Sequence, residues 1–226
     1  MHIGVLGATG PAGSALGVRL CDLGHEVTLG SRDSARADAV RAELVTKWPG
    51  HDLSGLRGAD NAGAAACDVV VVATPWDGAA PTVTALADAL EGKVVICMAN
   101  ALTRVGKEFQ PLIPPRGSVA ADVAAAVPRA RVVAAFHHVP ARELGDLDGA
   151  VDCDVLVCSD DPDATGVVIE LAESIPGMRG VNAGRLTAAG PVEALTAVLI
   201  GMNVRYKAHL SIRLSGLPEN TEAESR

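Results

Sequence analysis

The sequence predicts an α/β protein in which a doubly wound, parallel sheet is covered by helices on both faces. Apolar segments rich in β-branched residues recur along the chain and alternate with segments of helical character. Strands that are apolar on both faces are typical of a parallel sheet between two helix layers. The predicted strands are His2–Leu6, Glu26–Gly30, Asp68–Ala73, Lys93–Met98, Arg131–Phe136 and Asp154–Cys158. The helices predicted between the first five strands are 13–24, 34–47, 78–90 and 118–127.

Composition limits the classes of protein and partner. With 226 residues, 49% hydrophobic and 20% charged, the chain can bury a large core. A net charge of −8 argues against nucleic acid or an anionic membrane as partner. No signal peptide is recognisable, and the longest apolar run, Ala194–Met202, is shorter than a membrane span. Five cysteines without a C-x-x-C pair are expected to be buried free thiols, so we expect a cytoplasmic protein.

The first predicted strand runs into a glycine-rich turn. Gly7, Gly10 and Gly13 form G-x-x-G-x-x-G, whereas the common G-x-G-x-x-G fingerprint would place its first glycine at Ala8. Such a turn lets main-chain N–H groups approach a pyrophosphate at the N-terminus of the next helix. The alternative is a purely structural turn between strand and helix. The residues predicted to bind the dinucleotide here are Gly7, Thr9, Gly10, Pro11, Ala12 and Gly13.

The end of the second strand indicates which dinucleotide is bound. Sites specific for NAD carry Asp or Glu here to bind the ribose hydroxyls, but this chain has Ser31 and Arg32. A hydroxyl and a guanidinium suit a 2′-phosphate, and Arg36 follows one helical turn later. The sequence therefore predicts a Rossmann-type domain that binds NADP(H).

Other residues of the crevice are expected after the remaining strands, since ligands bind outside the carboxyl ends of parallel strands. The converging segments are Gly7–Gly13, Ser31–Arg36, Thr74–Asp77, Ala99–Arg104 and His137–Pro140. Trp76, in a chain with 2% aromatic residues, either borders the nicotinamide or anchors the next helix. The loop 100–118 is long and aperiodic, which is typical of functional or mobile loops, and Asn100 and Leu102 are expected to face the crevice.

The crevice is predicted to be poor in acid and base groups. Adjacent side chains of an extended segment point to opposite sides, so only one of His137 and His138 can face the site. His137 could orient a ring, donate a proton or be structural, and the lack of nearby Cys or His ligands argues against a metal site. The chain has neither Tyr-x-x-x-Lys nor G-x-S-x-G, so no residue is assigned a certain catalytic role. A hydride acceptor that carries the resulting charge itself would fit such a site.

The chain changes character after residue 145. We predict an NADP-binding domain over 1–145, a smaller α/β region over 146–217 and a disordered polar tail over 218–226. The smaller region is predicted to contain a strand over 148–158, a helix start at 160–162 and a strand over 179–183. A helix opening at Pro191 either covers the core, closes a second ligand site or packs across a dimer. Its predicted apolar face comprises Val192, Leu195, Leu199, Met202 and Tyr206.

Several segments in a fixed order make the chain resemble the NADPH-dependent F420 reductase family, also called F420H2:NADP+ oxidoreductases. These segments are G-A-T-G-P-A-G, L-G-H-E-V-T-L-G-S-R, A-T-P-W-D, A-A-F-H-H-V-P-A, D-V-L-V-C-S-D-D and V-E-A-L-T-A-V-L-I-G-M-N-V-R-Y-K-A-H. The resemblance implies reversible hydride transfer between C4 of the nicotinamide and C5 of the 8-hydroxy-5-deazaflavin of coenzyme F420. It also implies a homodimer formed through the C-terminal region.

The resemblance also implies roles for individual residues. It places Thr9–Ala12, Ser31, Arg32 and Arg36 at NADP, with Trp76, Leu102 and Ala141 along the nicotinamide side. Thr74 and Asn100, which follow the third and fourth predicted strands, are also predicted to bind the cofactor. It places the deazaflavin between His137 and Val139 on one side and Asn203 and Ser211 on the other. The chain departs from the family pattern at Ala8, over 98–102 and at His138.

Two other functions are compatible with the same residues. The protein could be an NADPH-dependent reductase of another small imine, ketone or flavin acceptor. It could also be a non-catalytic, NADP-binding redox sensor of the NmrA type. Turnover with a deazaflavin would distinguish an F420-dependent NADP oxidoreductase from both of these alternatives.

Overall fold

An eight-stranded sheet forms the centre of the molecule. The computed structural model describes residues 1–217. The strands are β1 (His2–Leu6), β2 (Glu26–Ser31), β3 (Leu56–Asp60), β4 (Val69–Val72), β5 (Val94–Cys97), β6 (Leu102–Val105), β7 (Glu108–Pro111), β8 (Arg131–Ala134), β9 (Cys153–Ser159) and β10 (Met178–Gly184). The strand order in the sheet is β10-β9-β8-β5-β4-β1-β2-β3, and β6 and β7 form a separate two-stranded hairpin.

Helices cover both faces of the sheet. They are α1 (Pro11–Asp22), α2 (Ser34–Lys47), α3 (Asn61–Ala65), α4 (Trp76–Thr84), α5 (Ala87–Leu90), α6 (Val119–Ala126), α7 (Ala141–Leu144), α8 (Pro162–Glu173) and α9 (Ala189–Tyr206). One apolar layer contains residues of α1, α7 and α8, and the other contains residues of α3 to α6 and α9. Strand β4 contributes Val71 to the first layer and Val70 and Val72 to the second, so its all-valine sequence is buried on both sides.

The strand order confirms the predicted fold class. Strands β3, β2, β1, β4, β5 and β8 are mutually parallel and follow the doubly wound order typical of dinucleotide-binding sheets. Helix α1 begins two residues earlier than predicted because Pro11 occupies its first turn, where a missing N–H costs nothing. Strand β8 ends at Ala134, two residues early, and Phe136 then adopts a left-handed φ of 63°.

Three elements differ from the sequence prediction. Strand β3 was not predicted, because L-R-G-A-D has no apolar run and only Leu56 is buried. The predicted loop 100–118 contains the β6–β7 hairpin, whose turn places Gly106 at a φ of +62°. The single helix predicted over 78–90 is two helices, α4 and α5, separated by Ala85 and Leu86.

The C-terminal region extends the same sheet. Strand β9 runs antiparallel to β8 and pairs with it only through Val133–Ser159 and Ala134–Cys158, while β10 runs parallel to β9. The predicted boundary after residue 145 therefore falls within one sheet, and the division into two domains stays a prediction. The predicted disordered tail, 218–226, lies outside the described residues.

Helix α9 buries only part of its predicted apolar face. Val192 and Leu199 are buried as predicted, but Met202 and Tyr206 are 39% and 66% exposed. The buried face instead includes two polar residues, Glu193 and Thr196. The Glu193 carboxylate accepts the main-chain N–H groups of Val119 at 2.9 Å and Ala120 at 3.1 Å, so it caps α6.

Helix α9 is part of a longer helical segment. This segment, Leu186–Tyr206, has 21 residues and is long and apolar enough to cross a membrane by length and composition. Length and composition alone are weak evidence, since a core helix of a soluble protein passes the same test. The hydrogen bonds of Glu193 to α6 show that one face of the segment packs within the protein.

Candidate functional site

A cavity of about 700 Å³ opens at the carboxyl ends of β1, β2 and β4. Three of the five segments predicted to converge contribute to it, namely those after these three strands. The lining residues are Gly7, Thr9, Gly10, Pro11, Ala12, Ser31, Arg32, Arg36, Asn61, Ala73, Thr74, Pro75, Asp77, Gly78 and Thr82.

The glycines of the turn have separate structural roles. Gly7 has a φ of +71°, and a Cβ there would lie 3.0 Å from the Thr74 Cα. A Cβ at Gly13 would lie 2.8 Å from the Ala73 Cβ, so Gly13 permits close packing of α1 on the sheet. At Gly10 the nearest atom would be 3.8 Å away, which leaves its cavity side open. Ala8 is fully buried and its N–H donates to the Gly30 carbonyl at 2.9 Å, so the methyl group is accommodated in the turn.

The N-terminus of α1 is suited to an anion. Gly10 precedes the helix and Pro11 opens it, and no side chain from residues 1–217 caps this end. Gly10, Pro11 and Ala12 all line the cavity. The positive end of the helix dipole and the free N–H groups of the first turn therefore lie beside the cavity, as a pyrophosphate requires.

Side chains at the end of β2 and directly after it provide a hydroxyl and positive charge at the cavity edge. Ser31 is 6% exposed, whereas Arg32 and Arg36 are exposed and pair with no carboxylate among residues 1–217. The neighbouring carboxylate of Asp33 accepts the Ala35 N–H at 3.0 Å and caps α2. Two cations with no counterion in the described part of the chain, together with a buried hydroxyl, fit a 2′-phosphate.

Asn61 is a cavity residue that the sequence analysis missed. It opens α3 directly after β3, and its Oδ1 accepts the Gly7 N–H at 3.4 Å. A carboxamide at this position supports the glycine turn from the side of the neighbouring strand. The signal was hidden because β3 lacks the apolar pattern that identified the other strands.

Two residues after β4 differ in their relation to the cavity. Thr74 lines it, and its Oγ1 is buried without a hydrogen-bond partner among residues 1–217. Trp76, by contrast, does not line the cavity but is half-buried and packs against the second apolar layer. This contact corresponds to the helix-anchoring alternative, while a role beside the nicotinamide stays a prediction.

A polar cluster joins the carboxyl ends of β5 and β8 to α9. The Asn100 amide donates to the main-chain oxygen of His137 at 2.8 Å. The Thr196 hydroxyl lies 3.1 Å from the same oxygen and 3.2 Å from the Asn100 Oδ1. Thr196 was not singled out in the sequence, because helix periodicity identifies only apolar faces. Leu102 begins β6 and is partly buried.

The two histidines after β8 are both buried, and neither lines the 700 Å³ cavity. The His138 Nε2 lies 2.7 Å from the main-chain oxygen of Asp154 on β9. The His137 ring nitrogens have no partner among residues 1–217. Burial, followed by the proximity of His138, lowers the pKa of His137 to about 3. His137 is therefore a neutral ring at physiological pH.

The remaining residues predicted at the deazaflavin lie apart from the cavity. Val139 is 9% exposed and Ala141 begins α7. The Asn203 Oδ1 accepts the Leu210 N–H at 2.7 Å, and the Ser211 hydroxyl donates to the Asp152 carbonyl at 2.5 Å. Both polar side chains thus stabilise the segment after α9, and their contact with a ligand stays a prediction.

The segment after α9 is fixed to β9 by a buried carboxylate. Asp154 is fully buried and binds Arg179 through both oxygens, at 2.9 and 2.6 Å, and the Arg213 Nη1 at 2.7 Å. It also accepts the Leu214 N–H at 2.7 Å. Burial acts to raise the pKa of Asp154, but these donors outweigh it and lower the pKa to about 2.

Asp154→Asn is expected to destabilise the protein by about 2 kcal/mol at pH 7, the energy of a pKa lowered from 3.8 to about 2. Because the folded pKa is depressed, this stability is present above about pH 5 and is lost as the pH falls through 3.8 towards 2. Urea unfolding at several pH values measures the difference from the unsubstituted protein. Asp68→Asn, at an exposed carboxylate without an ion pair among residues 1–217, is the control. A difference independent of pH would contradict the assignment.

The described residues contain no candidate metal site, and the cysteines form no cluster. No group of three or more His, Cys, Asp or Glu side chains that could hold a metal occurs within residues 1–217. All five cysteines are free thiols, and four of them are buried, whereas Cys67 is half-buried.

Sequence comparison gives the same family along most of the chain. Residues 2–101 match the family model described as NADP oxidoreductase, coenzyme F420-dependent. The chain is similar to the F420-dependent NADP reductase of Methanocaldococcus jannaschii, with 38% identity over 224 residues, covering 96% of this chain and 99% of the relative. It is 37% identical to the F420-dependent NADP reductase of Methanothermobacter thermautotrophicus, over 97% of both chains.

Structural comparison gives a consistent result. A crystal structure from Arthrobacter sp. FB24, described as a candidate F420-dependent NADP reductase, superposes with a TM-score of 0.79 and 30% identity. The match covers 94% of this chain and 99% of that one. The resemblance found in the sequence motifs is thus confirmed over nearly the whole length. The chain belongs to the family of coenzyme F420-dependent NADP oxidoreductases.

Proposed function

We propose that this protein transfers a hydride reversibly between NADPH and coenzyme F420. The observation that carries the proposal is the 38% identity to an F420-dependent NADP reductase over nearly the whole of both chains. The cavity supports it independently. Within residues 1–217 no side chain caps the α1 end at the cavity and no carboxylate pairs with Arg32 or Arg36, which fits a dinucleotide with a 2′-phosphate.

The dinucleotide would lie across the carboxyl ends of β1, β2 and β4. The first turn of α1 would bind the pyrophosphate, and Thr74 would donate its otherwise unpartnered hydroxyl. Ser31, Arg32 and Arg36 would bind the 2′-phosphate through charge-assisted hydrogen bonds. Asn61 would act indirectly, by holding the N–H of Gly7. In this proposal residues 1–145 hold NADP, and residues 146–217 close the deazaflavin side.

The nicotinamide would extend towards β5 and β8, near Trp76, Asn100, Leu102 and Ala141. The cluster of Asn100, the His137 carbonyl and Thr196 would keep this side of the crevice rigid. When bound, the two cofactors supply the reacting carbons, C4 of the nicotinamide and C5 of the deazaflavin. The protein would contribute chiefly by holding these carbons about 3–3.5 Å apart and excluding water.

The deazaflavin would contact His137, Val139 and the segment containing Asn203 and Ser211. His137 would serve as a neutral, ring-orienting group, because its lowered pKa of about 3 leaves no proton to donate at neutral pH. Consequently the pH dependence of the hydride-transfer rate, measured between about pH 6 and pH 8, should show no ionisation of His137.

Mixing the purified protein with NADPH and oxidised coenzyme F420 tests the proposal. Loss of the visible absorbance of the oxidised deazaflavin is expected with NADPH and not with NADH. Turnover of an imine, ketone or flavin without deazaflavin turnover would favour the alternative reductase. Tight NADP(H) binding with no hydride transfer to any acceptor would indicate a sensor.

We also propose a homodimer formed through α9 and the β6–β7 hairpin. A groove of about 560 Å³ between them is lined in part by Phe109, Val198, Met202 and Val204. Val198 and Val204 are 56% and 66% exposed, although they lie on a helix whose other face is buried. Exposed apolar patches of this kind are typical of protein interfaces, and a second copy would cover this one.

Val204→Asp is expected to convert the dimer to a monomer, since it places a charge in the centre of the proposed interface. Light scattering coupled to size exclusion measures the mass of each species. Val45→Asp, at a 39% exposed valine on α2, is the matched control and should remain dimeric. A monomeric parent protein, or a Val204→Asp variant that stays dimeric, would contradict the proposed interface.

A further inference from the structure

Helix α1 carries a buried arginine that contacts a distant part of the chain. Arg19 is 2% exposed and points at residues 141–149, which we call the α7 segment. Its guanidinium donates to main-chain oxygens of this segment: Leu144 at 3.0 Å, Leu147 at 3.4 Å, Glu143 at 3.2 Å, Gly149 at 3.0 Å, and Asp146. A single side chain thereby fixes the conformation of the whole segment.

The partners of Arg19 are carbonyls and not carboxylates. Within residues 1–217 no carboxylate lies within ion-pair distance of Arg19. Burial lowers the pKa of its guanidinium, and the nearby charges of Asp22 and Asp146 act in the opposite direction. Among residues 1–217 the carbonyls of Leu144, Leu147 and Gly149 have no donor other than Arg19, whereas the Glu143 carbonyl also accepts the Asp146 N–H at 3.2 Å. Such carbonyls are costly to bury without a partner. The shape of the α7 segment therefore depends on Arg19.

Close packing strengthens the same contact. A Cβ at Gly145 would lie 3.1 Å from the Ala15 Cβ, so the α7 segment approaches α1 at backbone distance. Ala15 and Arg19 are four residues apart and share one face of α1. The segment is thus positioned by one helix face, through van der Waals contact at Ala15 and hydrogen bonds at Arg19.

The two ends of this connection face different parts of the crevice. Helix α1 begins at the cavity, where Pro11 and Ala12 line the proposed pyrophosphate site. The α7 segment begins with Ala141, directly after His137–Pro140, on the proposed deazaflavin side. A rigid connection between two binding sites holds the two reactants at a fixed separation, and the contact between α1 and the α7 segment is such a connection.

We propose that Arg19 is a positioning residue for hydride transfer, which holds the α7 segment and the preceding deazaflavin contacts in register with the dinucleotide. This inference rests on the proposed function. Arg19 touches neither cofactor in this proposal. It acts by setting the distance between the elements that bind them.

Two substitutions remove different numbers of the hydrogen bonds that Arg19 donates to the α7 segment. Arg19→Met keeps the apolar stem but removes every donor, whereas Arg19→Lys keeps a charge with at most three donors. We expect the KM for coenzyme F420 to rise about tenfold in Arg19→Met. The rise should be smaller in Arg19→Lys, because the ammonium group leaves fewer carbonyls of the α7 segment unpaired. The Kd of NADPH should stay within about twofold, because the first turn of α1 is unchanged. Amide hydrogen exchange in residues 141–149 should become faster in the same order.

Leu90→Ala is the control for general destabilisation. Leu90 is fully buried in α5 and precedes β5, at the amino ends of the parallel strands and opposite the cavity. This variant should lower the melting temperature without raising the KM for coenzyme F420 and without faster exchange confined to 141–149.

The outcomes separate this inference from the proposed function. An unsubstituted protein that transfers no hydride to coenzyme F420 would overturn the proposed function and with it this inference. If the protein is active, unchanged KM and exchange in folded Arg19→Met would overturn the positioning role alone. An equal rise in the KM for coenzyme F420 and the Kd for NADPH would also overturn the positioning role. Should Arg19→Met not fold, the same readouts on Arg19→Lys decide.

Discussion

Arg32→Ala is expected to weaken NADPH binding by about ten- to a hundredfold, with little effect on NADH. The Arg32 guanidinium lines the cavity, is exposed and pairs with no carboxylate among residues 1–217, so a phosphate would be its main partner. A charge-assisted hydrogen bond of this type contributes about 1.5–3 kcal/mol. Calorimetric titration of both dinucleotides, at one fixed ionic strength, measures the two losses.

Arg41→Ala is the matched control for that substitution. Arg41 lies on α2 as Arg36 does, but it pairs with Asp38 at 3.7 Å and does not line the cavity. Its loss changes the net charge of the protein by the same amount as Arg32→Ala, yet it should leave both affinities within about twofold. Equal losses of NADPH and NADH affinity in Arg32→Ala would contradict the assignment of Arg32 to the 2′-phosphate.

Gly7→Ala is expected to reduce the affinity for NADPH and NADH alike, by about tenfold or more. Two effects combine there, since Gly7 has a φ of +71° and the new Cβ would lie 3.0 Å from the Thr74 Cα. The left-handed conformation costs about 1–2 kcal/mol with a side chain. The clash with the main chain of Thr74 would move the turn that binds the pyrophosphate. Dinucleotide titration and urea unfolding measure the two effects separately.

Gly24→Ala isolates the conformational effect. Gly24 has a φ of +85°, but no atom lies within 4 Å of the position of a new Cβ. It follows α1 at the end away from the cavity, so its substitution should lower stability without changing either dinucleotide affinity. A Gly7→Ala variant that binds as tightly as the parent protein would show that the turn does not hold the pyrophosphate.

The sequence was most informative where one local pattern determines an element. The all-valine β4 and the other apolar strands could be identified because burial on both faces leaves no polar positions. The glycine turn and Ser31–Arg32 could be located because their chemistry is specified by adjacent residues. These features were sufficient for the parallel sheet and for the NADP side of the crevice.

Features that depend on distant contacts were missed. Strand β3 is stabilised by pairing with β2 and not by apolar character, so neither the strand nor Asn61 after it could be predicted. Thr196 and Glu193 are polar residues on an apolar helix, and their partners lie far away in sequence. For the same reason the apolar periodicity of α9 suggested Met202 and Tyr206 as buried residues, although they are exposed.

The central claim, direct hydride transfer between the two cofactors, is tested most directly with isotopically labelled NADPH. The protein is mixed with NADPH carrying deuterium at both C4 positions and with oxidised coenzyme F420, and the reduced deazaflavin is analysed by mass spectrometry and NMR. One deuterium at C5 of the deazaflavin is the predicted result. Reduced deazaflavin without the label, or no reduction with NADPH, would contradict the account.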